Sequence, residues 1–199
     1  MVPSPPDIRQ HLLATGGALV LGKGFTAVGL AELLTTAGVP KGSFYYYFAS
    51  KDQFGEALLE HHFAEYLEKL DGLLKPDGTP ARARLLAYWN LWLDVQGQGP
   101  CEAQCMVVKL GAEVSDLSEA MRSALLRGTH QILERLAGCL GEGAADGSLE
   151  PGLEPGLLAL TLYELWLGAS LLTKVRREPS ALRAALALTH QLLAPPAAT

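Results

Sequence analysis

An all-α fold is predicted by three features of the sequence. Apolar residues recur at intervals of three and four, the period of an amphipathic helix, and the alternation typical of a strand never lasts. Hydrophobic residues make up 49 % of the 199 residues, which is enough to bury a core. Short segments with glycine or proline divide the apolar stretches into lengths that suit the helices of a globular protein.

The first three helices are predicted close to the N-terminus. Helix one begins at a capping-box pattern, Asp7 with Gln10. Helix two lies in VGLAELLTTA and is ended by a glycine, and helix three starts after Pro40 and ends near Phe48. Two short helices joined by a glycine-containing turn of three or four residues form a helix-turn-helix pattern.

A long fourth helix is predicted to begin at a second capping box, Ser50 with Gln53, and to end before KPDG. It would join an N-terminal domain, residues 1–50, to a second helical domain, residues 51–199. Further helices are predicted at about 80–96, 102–114, 117–141, 155–174 and 179–193.

The cysteines and the apolar stretches favour a protein of the cytoplasm. The chain has three cysteines, an odd number, and it opens without a basic segment followed by an apolar one, so neither secretion nor a disulfide framework is expected. The most apolar stretch, 157–173, is at the short limit for a membrane span and carries Glu164, which favours a buried helix and no membrane. No second cysteine or histidine pair follows CEAQC, so we expect no zinc site, and we expect no cofactor.

Charge is distributed unevenly along the chain. The net charge is −5, which by itself argues against a nucleic-acid partner. The first 51 residues, however, hold four basic and two acidic residues, a net charge of +2, so the other 148 residues carry −7. A nucleic-acid partner is therefore compatible with the N-terminal end.

Five consecutive aromatic residues, FYYYF, occupy the predicted third helix. Phe44 and Phe48 are four positions apart, so they lie one above the other and are predicted to fill the core against helices one and two. Tyr45, Tyr46 and Tyr47 then cover the other side of the helix. One short helix cannot bury every face, so some of these tyrosines must meet solvent or a partner.

The surroundings of the tyrosines favour DNA as that partner. Lys41 and Lys51 flank the segment, and the small residues Gly42 and Ser43 open it. Small residues at its start let a recognition helix enter the major groove, while tyrosine hydroxyls and lysines bind phosphate.

The stretch GFTAVGLAELLTTAGVPKGSFYYYFASKDQF is similar to the N-terminal DNA-binding segment of TetR-family repressors, at more than ten motif positions. The resemblance implies a three-helix DNA-binding domain followed by a helical effector and dimerisation domain, and a homodimer on a pseudo-palindromic double-stranded operator. It implies phosphate contacts by Thr26, Tyr45, Tyr47 and Lys51. It places nearest the bases Lys41, Ser43 and Tyr46, with Gly42 beside them.

Two later stretches, CMVVKLGAEVSDLSEAMRSAL and LYELWLGASLLTK, resemble the electrophile-sensing branch of the same family. Its members are N-ethylmaleimide-responsive repressors of genes that detoxify reactive carbonyls and quinones. The resemblance implies that Cys105 is a sensor whose modification by N-ethylmaleimide, quinones, aldehydes or hypochlorous acid releases the operator. The second stretch ends at Lys174.

The thiols differ in their sequence surroundings. Cys101 and Cys105 follow a Gly-Pro pair where a helix should begin, and a helix N-terminus stabilises a thiolate. Cys139 lies in an apolar run and is interpreted as packing. Two interpretations of Lys174 stay open: it favours the dipole at the end of its helix, or it lies close to Cys105 and lowers the thiol pKa or bonds the oxidised sulfur.

The last two helices are predicted to form the dimer interface, because their apolar content exceeds what one subunit can bury and WLGAS allows close approach. The interface residues in that motif are Trp166, Gly168, Ala169 and Ser170.

The sequence is also compatible with two alternatives. The repressor could instead respond to a neutral ligand held without covalent chemistry by Trp89, Trp92, Tyr163 and Trp166. A function of another class would be a thiol enzyme that uses Cys105 with His61, His62 or His130. No local catalytic signature surrounds the cysteine, so we do not expect an enzyme.

Overall fold

The computed structural model describes residues 5–98, 105–152 and 154–196, and within them every regular element is an α-helix. This confirms the predicted all-α fold. In chain order the nine helices of the described residues are α1 (Pro5–Lys23), α2 (Leu30–Ala37), α3 (Lys41–Tyr47), α4 (Lys51–Leu74), α5 (Ala81–Gln98), α6 (Met106–Leu117), α7 (Glu119–Ala145), α8 (Pro155–Arg176) and α9 (Ser180–Leu192).

The chain divides into two compact units. The first contains α1, α2, α3 and α6, with α4 as far as Glu65 and α7 as far as Gly128. The second contains the rest of α4 and α7 together with α5, α8 and α9. The boundary predicted at residue 50 lies just before α4 and stays a prediction about how function is divided along the chain.

The core of the first unit is aromatic, as the FYYYF stretch predicts. Phe44 and Phe48 are fully buried, with their ring centroids 5.3 Å apart. Phe54 of α4 packs edge-on against Phe48 at 5.1 Å. A Cβ atom at Gly16 of α1 would overlap the ring of Phe54, so only glycine allows this approach of α1 to α4. These contacts confirm that the two phenylalanines form core and leave the tyrosines to other roles.

The predicted helix starts hold at α4 and α8, lie within one residue at α5 and α9, and shift at α1 and α6. The N–H of Gln53 donates to Ser50 Oγ at 3.1 Å, and the Gln53 side chain accepts from the N–H of Ala49 at 2.6 Å, which is close to a capping box. By contrast α1 begins at Pro5, ahead of the predicted cap at Asp7. Helix α6 begins at Met106, four positions after its predicted start, and Cys101 lies outside the described residues.

In the second unit α8 is a core helix. By length and composition alone it is long and apolar enough to cross a membrane. Leu158, Leu162 and Trp166 on one side of it are buried, and α8 packs with α5 and α9. Its carboxylate cap at Glu154 accepts from the N–H of Gly156 at 3.1 Å, the arrangement of an ordinary helix start.

A buried arginine ties the remaining segments of the second unit together. The Arg84 guanidinium donates to the carbonyl oxygens of Leu74 and Thr79 and to the carboxylate of Glu142, the last at 2.6 Å. Arg84 lies on α5, so it connects that helix to the end of α4, to the loop that follows α4 and to α7. All three partners are oxygen acceptors, as a buried guanidinium requires.

Candidate DNA-binding surface and thiol site

Helix α3 presents a polar and aromatic face to solvent. Tyr46 is 79 % exposed, and Gly42, four positions earlier, lies above it on the same face. Lys41 and Tyr45 form the neighbouring row, with Lys41 Nζ 5.9 Å from the Tyr45 ring centroid. A Cβ atom at Gly42 would meet no heavy atom within 4 Å, so this end of the helix is open to a partner.

Two further residues of the predicted surface are half-buried. Ser43 lies in the first turn of α3, and Tyr47 ends the helix with its ring perpendicular to that of Tyr46, at a centroid distance of 4.9 Å. The three tyrosines are therefore graded in exposure, with Tyr46 projecting furthest.

Lys51 and Thr26, both predicted to bind phosphate, also make contacts within the chain. Lys51 is half-buried, and its Nζ donates to the carbonyl oxygen of Phe25 at 3.0 Å and lies 4.7 Å from the Phe25 ring centroid. Thr26 is exposed, and its N–H donates to Glu113 Oε1 at 2.6 Å. Both residues help to fix the turn between α1 and α2.

Arg9 is a cation near this surface that sequence reasoning did not single out. Its guanidinium carbon lies 5.6 Å from the ring centroid of Phe48, at the end of α3, and the residue is exposed. The only signal for it in the sequence was the positive charge of the N-terminal end. Lys23, in contrast, forms an ion pair with Glu32 of α2.

Glu113 was also missed, because no local pattern in α6 marks it. Burial raises the pKa of its carboxyl. The hydrogen bonds from the side chain and backbone of Thr26 and from the N–H of Phe25, with the charge of Lys109, outweigh burial and lower the pKa of this carboxyl below its ordinary value. Glu113 is therefore a carboxylate at neutral pH.

Cys105, the sensor implied by the family resemblance, lies at the start of a helix, as its position after the Gly-Pro pair predicted. It is the N-cap of α6, it is half-buried, and its carbonyl oxygen accepts from the N–H of Lys109 at 3.1 Å. The Cys105 side chain makes no capping hydrogen bond to α6. The first N–H groups of a helix point toward its start and favour a negatively charged group there.

Cys139 has the opposite environment. It is buried in the second unit, and its Sγ donates to the carbonyl oxygen of Ala81 at 3.7 Å. Burial raises the pKa of the Cys139 thiol to about 11, against a partial opposing effect of the Arg84 charge. The thiol is protonated at neutral pH, which agrees with the prediction that Cys139 is packing.

Lys174 lies in the last turn of α8. A cation there interacts favourably with the negative end of the helix dipole, in accordance with one of the two interpretations of this residue. Lys174 belongs to the second unit and Cys105 to the first, and the proximity of the two side chains stays a prediction.

The four aromatic residues predicted as a possible ligand pocket pack on one another. Trp89 and Trp166 are fully buried and stacked, with centroids 5.0 Å apart and planes 16° from parallel. Trp92 donates through Nε1 to Ser170 Oγ at 2.9 Å, and its ring meets that of Tyr163 edge-on. Trp89 Nε1 is buried without a hydrogen-bond partner among the described residues. This packing is typical of a core.

The residues predicted for the dimer interface divide between core and surface. Trp166, Ala169 and Ser170 are buried within the single chain, whereas Gly168 is exposed. The large apolar side chains that α8 and α9 expose are Leu157, Leu160, Leu171, Leu172, Val175 and Leu188.

The histidines proposed for a thiol enzyme have other surroundings. His61 and His130 each lie within 3.5 Å of the glutamate four residues later, and His62 packs edge-on against Phe63. Within the described part of the chain, no three His, Cys, Asp or Glu side chains come together as a metal site.

A three-helix N-terminal arrangement whose third helix exposes lysine and tyrosine defines a helix-turn-helix DNA-binding protein. Residues 12–58 match the family described as bacterial regulatory proteins, tetR family, and residues 81–189 match the tetracyclin repressor-like C-terminal domain. The chain belongs to the TetR family of transcriptional repressors.

Individual relatives agree with this assignment. The HTH-type transcriptional repressor NemR of Escherichia coli K12 is 47 % identical over 191 residues, which cover 96 % of both chains. The HTH-type transcriptional repressor DhaR of Mycobacterium sp. GP1 is 32 % identical, with 94 % of this chain and 93 % of DhaR covered. The crystal structure of the reduced form of E. coli NemR matches with a TM-score of 0.91 at 47 % identity, over 96 % of this chain and 100 % of that one. These relatives are repressors of transcription, not enzymes.

Proposed function

We propose that this repressor leaves its operator when Cys105 is modified by a reactive electrophile or oxidant. The observation that carries the proposal is the contrast between the two described thiols. Cys105 is the half-buried N-cap residue of a helix, whereas Cys139 is buried and protonated. The resemblance of the surrounding segment to electrophile-sensing repressors supports the same residue. Quinones, aldehydes, N-ethylmaleimide and hypochlorous acid are the proposed inducers, in the cytoplasm.

DNA binding is assigned to residues 1–50, and the sensing and dimerisation functions to residues 51–199. We place Lys41, Ser43 and Tyr46 nearest the bases, since the most exposed tyrosine and the open helix start at Gly42 lie on one side of α3.

Phosphate contacts are assigned to Thr26, Tyr45, Tyr47 and Lys51. The ammonium of Lys51 has three N–H donors, so it can hold the carbonyl oxygen of Phe25 and still reach a phosphate. Because such contacts are largely independent of sequence, they set the register of α3 on the duplex rather than its preference for bases.

A homodimer is proposed through α8 and α9, whose exposed leucines and Val175 form an apolar face that one chain leaves in water. Gly168 would allow close approach of the two copies of α8, with Trp166, Ala169 and Ser170 packed beneath. Two copies of α3 related by a two-fold axis would read a pseudo-palindromic operator.

A gel-shift experiment tests the sensor proposal. The probe is a duplex selected by the wild-type protein from a random-sequence library, with and without N-ethylmaleimide. We expect Cys105→Ser to bind like wild type and to stay bound after treatment, because serine has no thiolate to alkylate. Lys174→Ala should need a higher dose of the electrophile if its ammonium assists the thiol.

The matched control is Cys139→Ser, which should be released like wild type. Release of Cys105→Ser at the wild-type dose, or mass-spectrometric detection of modification first at Cys101 or Cys139, would contradict the assignment of Cys105.

A further inference from the structure

Two charged side chains of α6 bind the backbone where α1 ends and the turn to α2 begins. Lys109 Nζ donates to the carbonyl oxygen of Gly22 at 3.3 Å. One turn further along α6, Glu113 accepts from the N–H of Phe25 through Oε2 at 3.2 Å and from the N–H of Thr26 through Oε1 at 2.6 Å. We call this pair of side chains, Lys109 on the last turn of α1 and Glu113 on the turn that follows, the α6 clasp. It lies entirely within the first unit.

The turn is shaped around the carboxylate. Gly24 has a φ of +93°, a conformation that favours glycine. A Cβ atom at Gly24 would lie 2.9 Å from Glu113 Oε2, closer than a carbon and an oxygen can approach without displacement. Both the backbone conformation and the space at this position therefore require glycine while the carboxylate is in place.

Both clasp residues follow Cys105 at helical spacing. Cys105, Lys109 and Glu113 are separated by four positions each, so they lie along one side of α6. The carbonyl oxygen of Cys105 accepts the N–H of Lys109 at 3.1 Å. The first turn of α6 thus connects the thiol residue to the clasp through the helix backbone.

The turn that the clasp residue Glu113 binds leads into α2, the first helix of the helix-turn-helix. The N–H of Thr26, for which a phosphate contact is proposed, donates to the Glu113 carboxylate. The ring and the carbonyl oxygen of Phe25 contact Lys51. Released from Glu113, the two N–H groups would no longer fix the start of the helix-turn-helix relative to α6.

We propose that Glu113 and Lys109 are positioning residues for operator binding, and that α6 transmits the modification of Cys105 to the α1–α2 turn through them. The second half of this statement rests on the proposed function of Cys105, whereas the first half does not. If the clasp only stabilised the fold, its loss would lower the free energy of unfolding but would not change the operator affinity of the folded protein. Measurements of affinity and of unfolding separate these two roles.

The first experiment measures affinity for the duplex that the wild-type protein selects from a random library, in the absence of electrophile. We expect Glu113→Gln to bind about tenfold more weakly, the size of effect expected when a hydrogen bond to a charged group is lost. Lys109→Met should weaken binding and Lys109→Arg should restore it, because an arginine can donate to the same carbonyl. Asp116→Asn, which removes an exposed acid from the same helix, is the matched control and should bind like wild type.

Equal binding by Glu113→Gln would overturn the positioning role, because the carboxylate would then contribute nothing to affinity. Tighter binding would also overturn it, because the carboxylate would then repel the operator phosphates instead of positioning Thr26. Each variant is compared by its thermal unfolding midpoint, and the loss of affinity should persist at temperatures where all variants are fully folded.

The second experiment uses the wild-type protein alone, so it does not depend on how a variant folds. Amide hydrogen exchange at Phe25 and Thr26 is followed before and after N-ethylmaleimide treatment, with Gly24 as internal control because its N–H donates to Val20 within α1. We expect exchange to accelerate at least about tenfold at Phe25 and Thr26 and to stay unchanged at Gly24.

The outcomes separate the two proposals. If N-ethylmaleimide releases the duplex while exchange at Phe25 and Thr26 is unchanged, transmission through the clasp is overturned and the sensor proposal survives. If N-ethylmaleimide does not release the duplex, the sensor proposal fails, and the affinity of Glu113→Gln still decides whether Glu113 positions the DNA-binding turn.

Discussion

Tyr46 lies on α3, and Phe48 lies two positions later, at the end of that helix. The two side chains have opposite environments. Tyr46 is 79 % exposed, whereas Phe48 is 1 % exposed and packs against Phe44 and Phe54. On a helix two positions correspond to a large rotation about the axis, so neighbours in sequence can belong to a binding face and to a core.

Paired substitutions should separate these two roles. Tyr46→Phe should weaken operator binding by about 0.5 to 1.5 kcal/mol, as for one ordinary hydrogen bond, and leave the thermal unfolding midpoint unchanged. Phe48→Ala should lower the free energy of unfolding by about 3 to 5 kcal/mol, because it empties the centre of a small core. Chemical denaturation and a salt titration of DNA binding measure the two quantities. A destabilised Tyr46→Phe or a stable Phe48→Ala would refute this division of roles.

The thiols show the same dependence on environment at the scale of single residues. Cys139 is kept protonated by burial, with a pKa of about 11, although Arg84 lies close enough to oppose the shift. A positive charge nearby is therefore not sufficient to activate a thiol, because loss of hydration counts against the charged form. Cys105 is half-buried and lies at a helix start.

At the scale of elements, α6 joins functions that the sequence presents separately. Its N-cap is the proposed sensor, and two of its side chains bind the end of α1 and the turn that leads to α2. The helix has 12 residues. In the proposed mechanism, a displacement of its first turn would be carried along its hydrogen-bonded backbone to Glu113.

The lowered pKa of Glu113 predicts a pH dependence of stability. A carboxyl whose pKa is lower in the folded chain than in the unfolded chain stabilises the fold above the unfolded value, and this contribution is lost as pH falls through the folded value. The free energy of unfolding of wild type should therefore exceed that of Glu113→Gln by a constant amount above about pH 5, and the difference should shrink below about pH 4.

Urea denaturation of both proteins at a series of pH values provides the measurement. A difference that stays constant down to the lowest pH at which wild type remains folded would show that the charge of Glu113 does not contribute to stability.

At the scale of the whole molecule, the proposed dimer depends on side chains that one chain leaves exposed. Leu171 of α8 is 51 % exposed, and Leu126 of α7 is 59 % exposed. Because the two exposures are similar, a substitution at Leu126 is a matched control for one at Leu171. Leu171→Asp should produce a monomer, because a carboxylate would be buried without a partner in the interface, and the monomer should bind the operator more weakly. Leu126→Asp should remain a dimer.

Sedimentation equilibrium measures the mass of both variants. The free energy of unfolding of each isolated chain should change little, since neither leucine is buried in the single chain. A dimeric Leu171→Asp would refute the proposed α8–α9 interface.

The sequence by itself determined the helices and the helix-turn-helix, because the signals for them are local. Periodicity and the Ser50–Gln53 cap set where α4 begins, and the four-residue spacing of Phe44 and Phe48 sets which side of α3 is buried. The resemblance to TetR repressors rested on the same contiguous stretch.

Only the tertiary structure decided which charged side chains hold the α1–α2 turn. Glu113 binds N–H groups 87 and 88 residues earlier in the chain, and Lys51 binds a carbonyl 26 residues earlier, contacts for which no local pattern exists. The structure likewise decided that Gly168 of WLGAS is exposed while Trp166 is buried. A side chain chooses its partner among the groups that packing brings within hydrogen-bonding distance, and that choice is made by the relative placement of helices rather than by the sequence of any one of them.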